Sequence, residues 1–128
     1  MASVVTNYQG NLWLGSIGNN ATTFYIALFK LSPTDLGSFT DEVSGGSYAR
    51  QPTTFSTVSG KSTGNNLALS FTNMPTPSGT VHYVGVCRTL TGTTNDLLCY
   101  GQLNGATGVA WTVGQTFKVE NNDIVITL

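Results

Sequence analysis

Apolar and polar residues alternate over short stretches along most of the chain, which is the pattern of half-buried β-strands. The strongest stretch is Thr22–Leu31, whose apolar residues fall on both faces and indicate a central strand. Clusters of Gly, Asn, Thr and Pro separate further stretches at intervals of about 8–12 residues. These stretches are 48–56, 67–72, 80–90, 97–103, 109–113, 116–119 and 123–128. The spacing predicts an all-β fold, an antiparallel domain of the β-sandwich or jelly-roll type.

The N-terminal segment departs from this alternation. Its apolar residues are spaced for one face of a helix, which they would form with Leu12, Trp13, Leu14 and Ile17. Asn7 is a suitable cap for this helix, although two internal glycines weaken it. We therefore expect residues 1–21 to form an arm or short helix, and residues 22–128 to form a single β-sandwich domain.

The stretches Thr80–Leu90 and Leu97–Leu103 flank a polar loop and predict a β-hairpin. A turn centred near residue 93 would place Cys87 opposite Cys99, so a cross-strand disulfide is geometrically conceivable. The favoured alternative is two buried free thiols, because the N-terminus shows no secretory signal.

Composition narrows the classes of partner. Charged residues make up only 9% of the chain, and the formal net charge is −1. Polar character comes instead from 20 Thr, 15 Gly, 11 Ser and 11 Asn residues. Nucleic-acid binding needs a surplus of Lys and Arg, and a membrane span needs about 18 consecutive apolar residues. We therefore expect neither a nucleic acid nor a membrane as a partner.

The residue types that carry catalysis are sparse and scattered. A general base needs a group that orients it, and the one histidine, His82, is more simply explained as a hydrogen-bonded residue on a strand face. The spacing of the two cysteines and the histidine matches no zinc pattern, and the carboxylates form no glycosidase pair. We expect no catalytic residue, no cofactor and no metal site, and therefore no enzyme.

One segment concentrates distinctive side chains. It combines a carboxylate, a double glycine, an aromatic ring and a guanidinium, supplied by Glu42, Gly45, Gly46, Tyr48 and Arg50. Arg50 can bind Glu42 in a bidentate manner and so clamp the two ends of one loop. The alternative is that Arg50 binds a carboxylate of a neighbouring subunit.

The segment EVSGGSYARQ at 42–51 resembles a signature of small bacteriophage virion structural proteins, which are often labelled tail fibre proteins. The resemblance extends over roughly residues 22 to 128. It includes the segments FYIALFKLSPTDLG, NLALSFTNMPTPSGTVHYVGV, LTGTTNDLLCYGQL and VGQTFKVENNDIVITL.

The resemblance implies a non-enzymatic building block of the virion, exposed on the particle and assembled in the host cytoplasm. The chain shows no heptad or Gly-X-Y period that would form a shaft, so capsid decoration, the role of a cement protein, is the first expectation. A tail fibre or tail-tip adsorption protein is the alternative, and a carbohydrate-binding module is a remote one. The expected partners are the major capsid protein or tail proteins, together with further copies of the chain, as a trimer.

The predicted strands do not provide an obvious buried position for several large aromatic residues. We expect some of them to contact a neighbouring subunit, the candidates being Trp13, Tyr25, Phe29, Phe39 and Trp111.

Overall fold

A computed structural model describes residues 6–103 and 105–128 and consists mainly of short β-strands. One helix, α1 (Asn7–Leu14), comes first. The strands are β1 (Phe24–Phe29), β2 (Gln51–Thr53), β3 (Ser62–Gly64), β4 (Leu69–Phe71), β5 (Gly79–Val81), β6 (Tyr83–Cys87), β7 (Leu97–Gln102), β8 (Val109–Trp111), β9 (Phe117–Val119) and β10 (Val125–Thr127). A 3-10 turn, Gly105–Thr107, lies between β7 and β8. The predicted all-β class with a short N-terminal helix is confirmed.

The largest sheet has four strands in the order β2-β1-β6-β7, and the other strands pair as β10-β3, β4-β9 and β5-β8. Strand β6 is antiparallel to both of its neighbours, β1 and β7. The predicted central strand is therefore β1, which lies between β2 and β6. Pro52 cannot donate a ladder hydrogen bond, and its strand β2 lies at the sheet edge as the sequence predicts.

Contacts divide the chain into two compact units. Unit 1 consists of the described part of Met1–Thr23, together with Thr53–Leu69 and Val119–Leu128. Unit 2 consists of Phe24–Pro52 and Ser70–Lys118. The predicted boundaries at residues 1–21 and 22–128 stay a prediction.

Unit 1 contains α1, β3 and β10, and it buries the polar side chain of Asn65 completely. The Asn65 amide nitrogen donates to the carbonyl oxygens of Leu67 and Glu120, at 2.9 and 3.0 Å. Its amide oxygen accepts from the backbone N–H of Ile124 at 2.9 Å. A buried amide is tolerated only when it is hydrogen-bonded, so Asn65 joins the 65–67 and 120–124 segments of this unit.

The N-terminal helix differs from its prediction in two respects. Its cap is Thr6, whose hydroxyl accepts from the Gln9 N–H, so the expected cap Asn7 is the first helical residue. Leu14 is buried, but Leu12 and Trp13 are more than half exposed, so they do not join it in one buried face. Within the described residues, no helix is long and apolar enough to cross a bilayer.

The four-stranded sheet provides the core of unit 2. Ile26, Ala27, Leu28 and Phe29 on β1 are fully buried, and so is Cys87 on β6. Both faces of β1 are therefore covered, as the continuous apolar run predicts. One face carries a cluster of Ala27, Phe29 and Cys87, with Tyr25, Phe39, Tyr83 and Leu97 packed against it.

The predicted continuous strand over 80–90 is wrong. The chain leaves the β5–β8 pair and enters the four-stranded sheet at His82, whose backbone N–H donates to the carbonyl oxygen of Phe29 at 3.0 Å. The His82 ring Nδ1 lies 2.8 Å from the carbonyl oxygen of Lys30. This ring is a hydrogen-bonded residue at a sheet crossover.

The predicted hairpin is present as β6 and β7, but the predicted pairing of its cysteines is wrong. A register shift between Val86 and Cys87 places Cys99 opposite Val86 and Leu97 opposite Cys87. The shift adds one unpaired residue, Leu98, to β7. Counting equal numbers of residues outward from the turn does not allow for such a bulge, so it placed the two cysteines opposite each other. Both Cys87 and Cys99 are free thiols in the structure.

Candidate functional site

The 42–51 loop surrounds a buried guanidinium, and this clamp lies wholly within unit 2. The Arg50 side chain is 3% exposed, and that of Glu42 is 13% exposed. Arg50 Nε donates to Glu42 Oε2 at 2.9 Å, and Arg50 Nη2 donates to Glu42 Oε1 at 3.0 Å. This is the bidentate geometry in which guanidinium and carboxylate interact most strongly. Of the two alternatives for Arg50, the structure forms the one within the chain.

The same guanidinium holds the turn between β6 and β7. Arg50 Nη1 donates to Asp96 Oδ2 at 3.0 Å and to the carbonyl oxygens of Thr89 and Gly92 at 3.0 and 2.9 Å. The Thr89 hydroxyl donates to Asp96 Oδ1 at 2.9 Å and accepts from the Gly92 N–H at 2.9 Å. Arg50 therefore ties the 42–51 loop to the 89–96 turn, with one carboxylate from each.

The charges of the clamp are stabilised by their surroundings. Burial alone would lower the pKa of Arg50, but hydrogen bonding to Glu42 and the nearby acidic groups raise it above its usual value. The Arg50 Cζ also lies 4.5 Å from the centre of the Phe39 ring, which is a cation–π distance. Arg50 is therefore permanently charged and faces two carboxylates and one aromatic ring.

Tyr48 connects the 42–51 loop to strand β1. Its hydroxyl donates to Glu42 Oε2 at 2.9 Å and accepts from the backbone N–H of Leu28 at 3.0 Å. Its ring stacks on Phe71 with a centroid distance of 6.0 Å. Burial, followed by the negative charge of Glu42, raises the pKa of Tyr48 far above its usual value.

The double glycine turns the loop between these side chains. Gly45 and Gly46 have φ of 96° and 56°, a backbone region that L-residues with a Cβ rarely adopt. A Cβ on Gly46 would also lie 3.3 Å from the Cα of Pro75. The turn closes with a hydrogen bond from the Tyr48 N–H to the Gly45 carbonyl oxygen at 3.1 Å.

Sequence reasoning missed half of the clamp, namely Asp96, Thr89 and Gly92. Asp96 was only one of six scattered acidic residues, and its carboxylate is buried beside Arg50. One signal in the sequence is that a buried arginine needs more than one acceptor, and Asp96 at the end of a hairpin loop is a possible acceptor. Local spacing does not show which distant loop contacts Arg50, so this signal alone does not identify Asp96 as its partner.

The five aromatic candidates for subunit contact separate into groups. Phe29 and Trp111 are buried within the chain, and the Trp111 Nε1 donates to the carbonyl oxygen of Pro75 at 3.0 Å. The expected contact with a neighbouring subunit is wrong for these two residues, because their side chains are buried in the core of unit 2. Tyr25 and Phe39 are half-buried and Trp13 is 57% exposed, so a subunit contact stays a prediction for these three.

The polar groups of the clamp are used to hold the chain together. Arg50, Glu42, Tyr48 and Asp96 are paired with one another or with backbone groups of the same unit. Among the described residues, no group of three or more His, Cys, Asp or Glu is placed to hold a metal ion. The arrangement therefore has the chemistry of a structural clamp.

Comparison with known proteins supplies the family. A model of the family "Podophage GP4 fiber I protein gp80" matches residues 5–127. No curated protein and no solved structure matches the chain. Because the match covers nearly the whole chain, the chain belongs to the podophage GP4 fiber I protein gp80 family, a family of phage fibre-type structural proteins.

Proposed function

We propose that this chain is a non-enzymatic structural component of a podophage fibre, carried on the outside of the virion. The observation that carries the proposal is the family match over residues 5–127, whose description names a fibre protein. The clamp supports it, because the buried charges of Arg50, Glu42 and Asp96 join two loops of the chain and are paired with one another. Fibre proteins act through shape and contact, and a clamp of this kind preserves shape.

Capsid decoration is the second candidate. The chain has few charges and a surface rich in Thr, Asn and Gly, which suits a lattice contact because little charge has to be desolvated. The same surface suits contacts between fibre subunits. The proposal favours the fibre because the family description names it.

The number of copies per virion separates the two candidates. A fibre component is present in few copies, whereas a decoration protein approaches the number of capsid lattice positions. We expect quantitative mass spectrometry of purified virions, with isotope-labelled peptides, to give a small fraction of the major capsid protein. A copy number comparable to that of the capsid protein would contradict the fibre proposal and favour decoration.

Assembly in the host cytoplasm, with tail proteins or the capsid protein as partners, follows from this proposal. It is tested by affinity purification of the tagged chain from infected cells. We expect structural virion proteins to co-purify with the chain before lysis. Recovery of the chain without any virion protein would contradict it.

A further inference from the structure

A groove lies between strand β7 and the turn at residues 34–37, within unit 2. Its volume is about 490 Å³, which is within the usual range for small-molecule sites. Residues 97–100 line it on the strand side, and Thr34, Asp35 and Gly37 line it on the turn side. This space is called the 34–37 groove below.

The turn meets the strand at two points, so the groove is bounded by the chain itself. The Tyr100 hydroxyl donates to Asp35 Oδ1 at 3.2 Å. A Cβ added to Gly37 would lie 3.7 Å from Leu97 Cβ, which is ordinary van der Waals contact. Because the turn covers this part of the strand, the groove suits a ligand of small-molecule size instead of a further strand.

Hydrogen bonds within the turn fix the position of Asp35. The Ser32 hydroxyl accepts from the Thr34 N–H at 3.1 Å, and the Thr34 hydroxyl accepts from the Leu36 N–H at 3.3 Å. The Gly37 N–H donates to the Thr34 carbonyl oxygen at 2.9 Å. Thr34 has a φ of 58°, which a β-branched residue adopts only where the surrounding contacts impose it. The turn is therefore preorganised, which lowers the cost of ordering it when a ligand binds.

One oxygen of the Asp35 carboxylate is available to a ligand. Asp35 is exposed, and among the residues that the structure describes its side chain makes one hydrogen bond, through Oδ1 to Tyr100. Within the described part of the chain, no Lys, Arg or His lines the groove. Burial raises the pKa of the Cys99 thiol to about 11, so this thiol is uncharged at neutral pH. The single negative charge of the lining therefore disfavours an anionic ligand.

Aromatic and amide groups extend this surface along the sheet. The Tyr100 ring packs edge-on against Tyr83, with ring centroids 6.1 Å apart. The Gln102 side-chain amide donates to the Tyr83 hydroxyl at 3.3 Å. Tyr83 is paired with Gln102, and Gly85 with Tyr100, so both tyrosines and Gln102 lie on one face of the sheet. Both rings are half-buried, so each leaves part of its surface accessible.

We propose that the 34–37 groove binds a neutral saccharide. A pyranose ring has an apolar C–H face and a rim of hydroxyls, so its site needs an apolar or aromatic surface beside a few placed polar groups. Leu98 and Tyr100 supply the surface, and Asp35 and Thr34 supply the polar groups. The Asp35 carboxylate accepts from sugar hydroxyls in charge-assisted hydrogen bonds, which are stronger than those between neutral groups.

A small cation is the other ligand that a lone carboxylate attracts. An exposed ion pair contributes little, because water and salt screen it. The hydroxyls of Thr34 and Tyr100 can both donate and accept, and a cation gives them no acceptor to bind. The lining therefore favours a hydroxylated ligand over a cation.

Saturation-transfer NMR on the purified full chain tests the proposal. The probes are neutral oligosaccharides of glucose, galactose, mannose and N-acetylglucosamine, and spermine is the cationic probe. We expect transfer to at least one of the oligosaccharides. Binding of none of them would overturn the proposal, and binding of spermine alone would indicate a cation site instead.

Two substitutions test whether the oligosaccharide binds in the groove. Asp35→Asn removes the charge of an exposed side chain, and we expect it to weaken binding by about tenfold in an NMR titration. Tyr100→Ala should abolish binding. Asp41→Asn and Tyr8→Ala are the matched controls, because neither residue lines the groove. Unchanged affinity in a folded Asp35→Asn or Tyr100→Ala protein would overturn the proposal, and if Tyr100→Ala does not fold, Asp35→Asn decides.

This inference does not rest on the proposed function. It concerns a ligand of the single chain, and it is read out on purified protein in solution. The fibre proposal is read out on virions, so either one can fail while the other holds.

Discussion

At the residue scale, Arg50 is the side chain on which most depends. It is buried, bears the positive charge between two carboxylates and makes five hydrogen bonds to two separate loops. Removing one partner of a buried ion pair leaves the other charge desolvated and unpaired, and this costs more than the pair contributes. A substitution that removes the Arg50 guanidinium therefore leaves the carboxylates of Glu42 and Asp96 without their buried counter-charge.

Arg50→Ala should lower the free energy of unfolding by about 3–5 kcal/mol, the range for breaking a buried ion pair. Chemical denaturation monitored by tryptophan fluorescence measures the change. Arg88→Ala is the matched control, because Arg88 is exposed and lies in the same unit. An Arg50→Ala protein that unfolds at the same denaturant concentration as the parent would show that the clamp contributes nothing.

Tyr48→Phe should lower the free energy of unfolding by about 1–3 kcal/mol, because the Leu28 N–H loses its acceptor and Glu42 loses a donor. Tyr83→Phe is the control, since the Tyr83 hydroxyl takes part in an exposed hydrogen bond with Gln102. Thermal unfolding of the two variants side by side measures the difference. Equal melting of Tyr48→Phe and Tyr83→Phe would contradict the role assigned to the Tyr48 hydroxyl.

The two thiols, fully buried at Cys87 and partly buried at Cys99, make stability depend on alkaline pH. Burial raises the pKa of Cys87 to about 12 and that of Cys99 to about 11. An unfolded cysteine ionises near pH 8.5, roughly, so above that pH the unfolded chain loses protons that the folded chain retains. The free energy of unfolding should therefore be independent of thiol ionisation below that pH and should fall steadily from there towards pH 11. Urea unfolding across this range measures it, and stability that stays level or rises would contradict the burial of these thiols.

At the element scale, the close approach of β6 to its neighbours depends on Gly85. A Cβ there would lie 2.6 Å from Leu97 Cδ1 and 2.7 Å from Phe29 Cε2, and Phe29 is fully buried. Gly101 lies on the adjacent strand and has nothing within 4 Å of an added Cβ. The two glycines therefore differ in packing, although both lie in the same antiparallel pair.

Gly85→Ala should destabilise the protein by about 1–3 kcal/mol through overpacking, whereas Gly101→Ala should change stability by less than about 0.5 kcal/mol. Denaturant titration of both variants gives the comparison. If Gly85→Ala is as stable as Gly101→Ala, then Leu97 and Phe29 are not packed against β6 as the structure has them.

The elements that the sequence predicts well are those with strong apolar runs. Strand β1 follows from a continuous apolar run, and the β6–β7 hairpin follows from a polar loop between two apolar stretches. Strand β3 (Ser62–Gly64) was missed because its residues are small and polar, and its pairing with β10 decides its conformation. The division of 80–90 at His82 was missed because no glycine or proline marks it.

The clamp likewise has a part that is local in sequence, which can be predicted, and a part that depends on the folded sheet, which cannot. Glu42 and Arg50 are near in sequence, so local reasoning brings them together. Asp96 lies 46 residues from Arg50 and joins only through the folded sheet. The bulge that displaces Cys99 from Cys87 likewise depends on strand pairing, which symmetric counting from a turn does not include.

At the scale of the whole molecule, the class of function follows from the resemblance of several segments to virion proteins, whereas composition only narrows the classes of partner. A chain with 9% charged residues has little with which to bind polyanions, and its resemblance to virion proteins was recognisable from the segments alone. The family match supports the fibre-type structural class. The position on the particle depends on surfaces that act between molecules, and the sequence of one chain does not encode which surface meets which partner.

The proposed function is that of a structural component of a podophage fibre. Electron cryomicroscopy of the intact virion, with the chain labelled by a site-specific Fab, tests it most directly. We expect Fab density along fibres that project from the particle. Fab density distributed over the capsid lattice would contradict it.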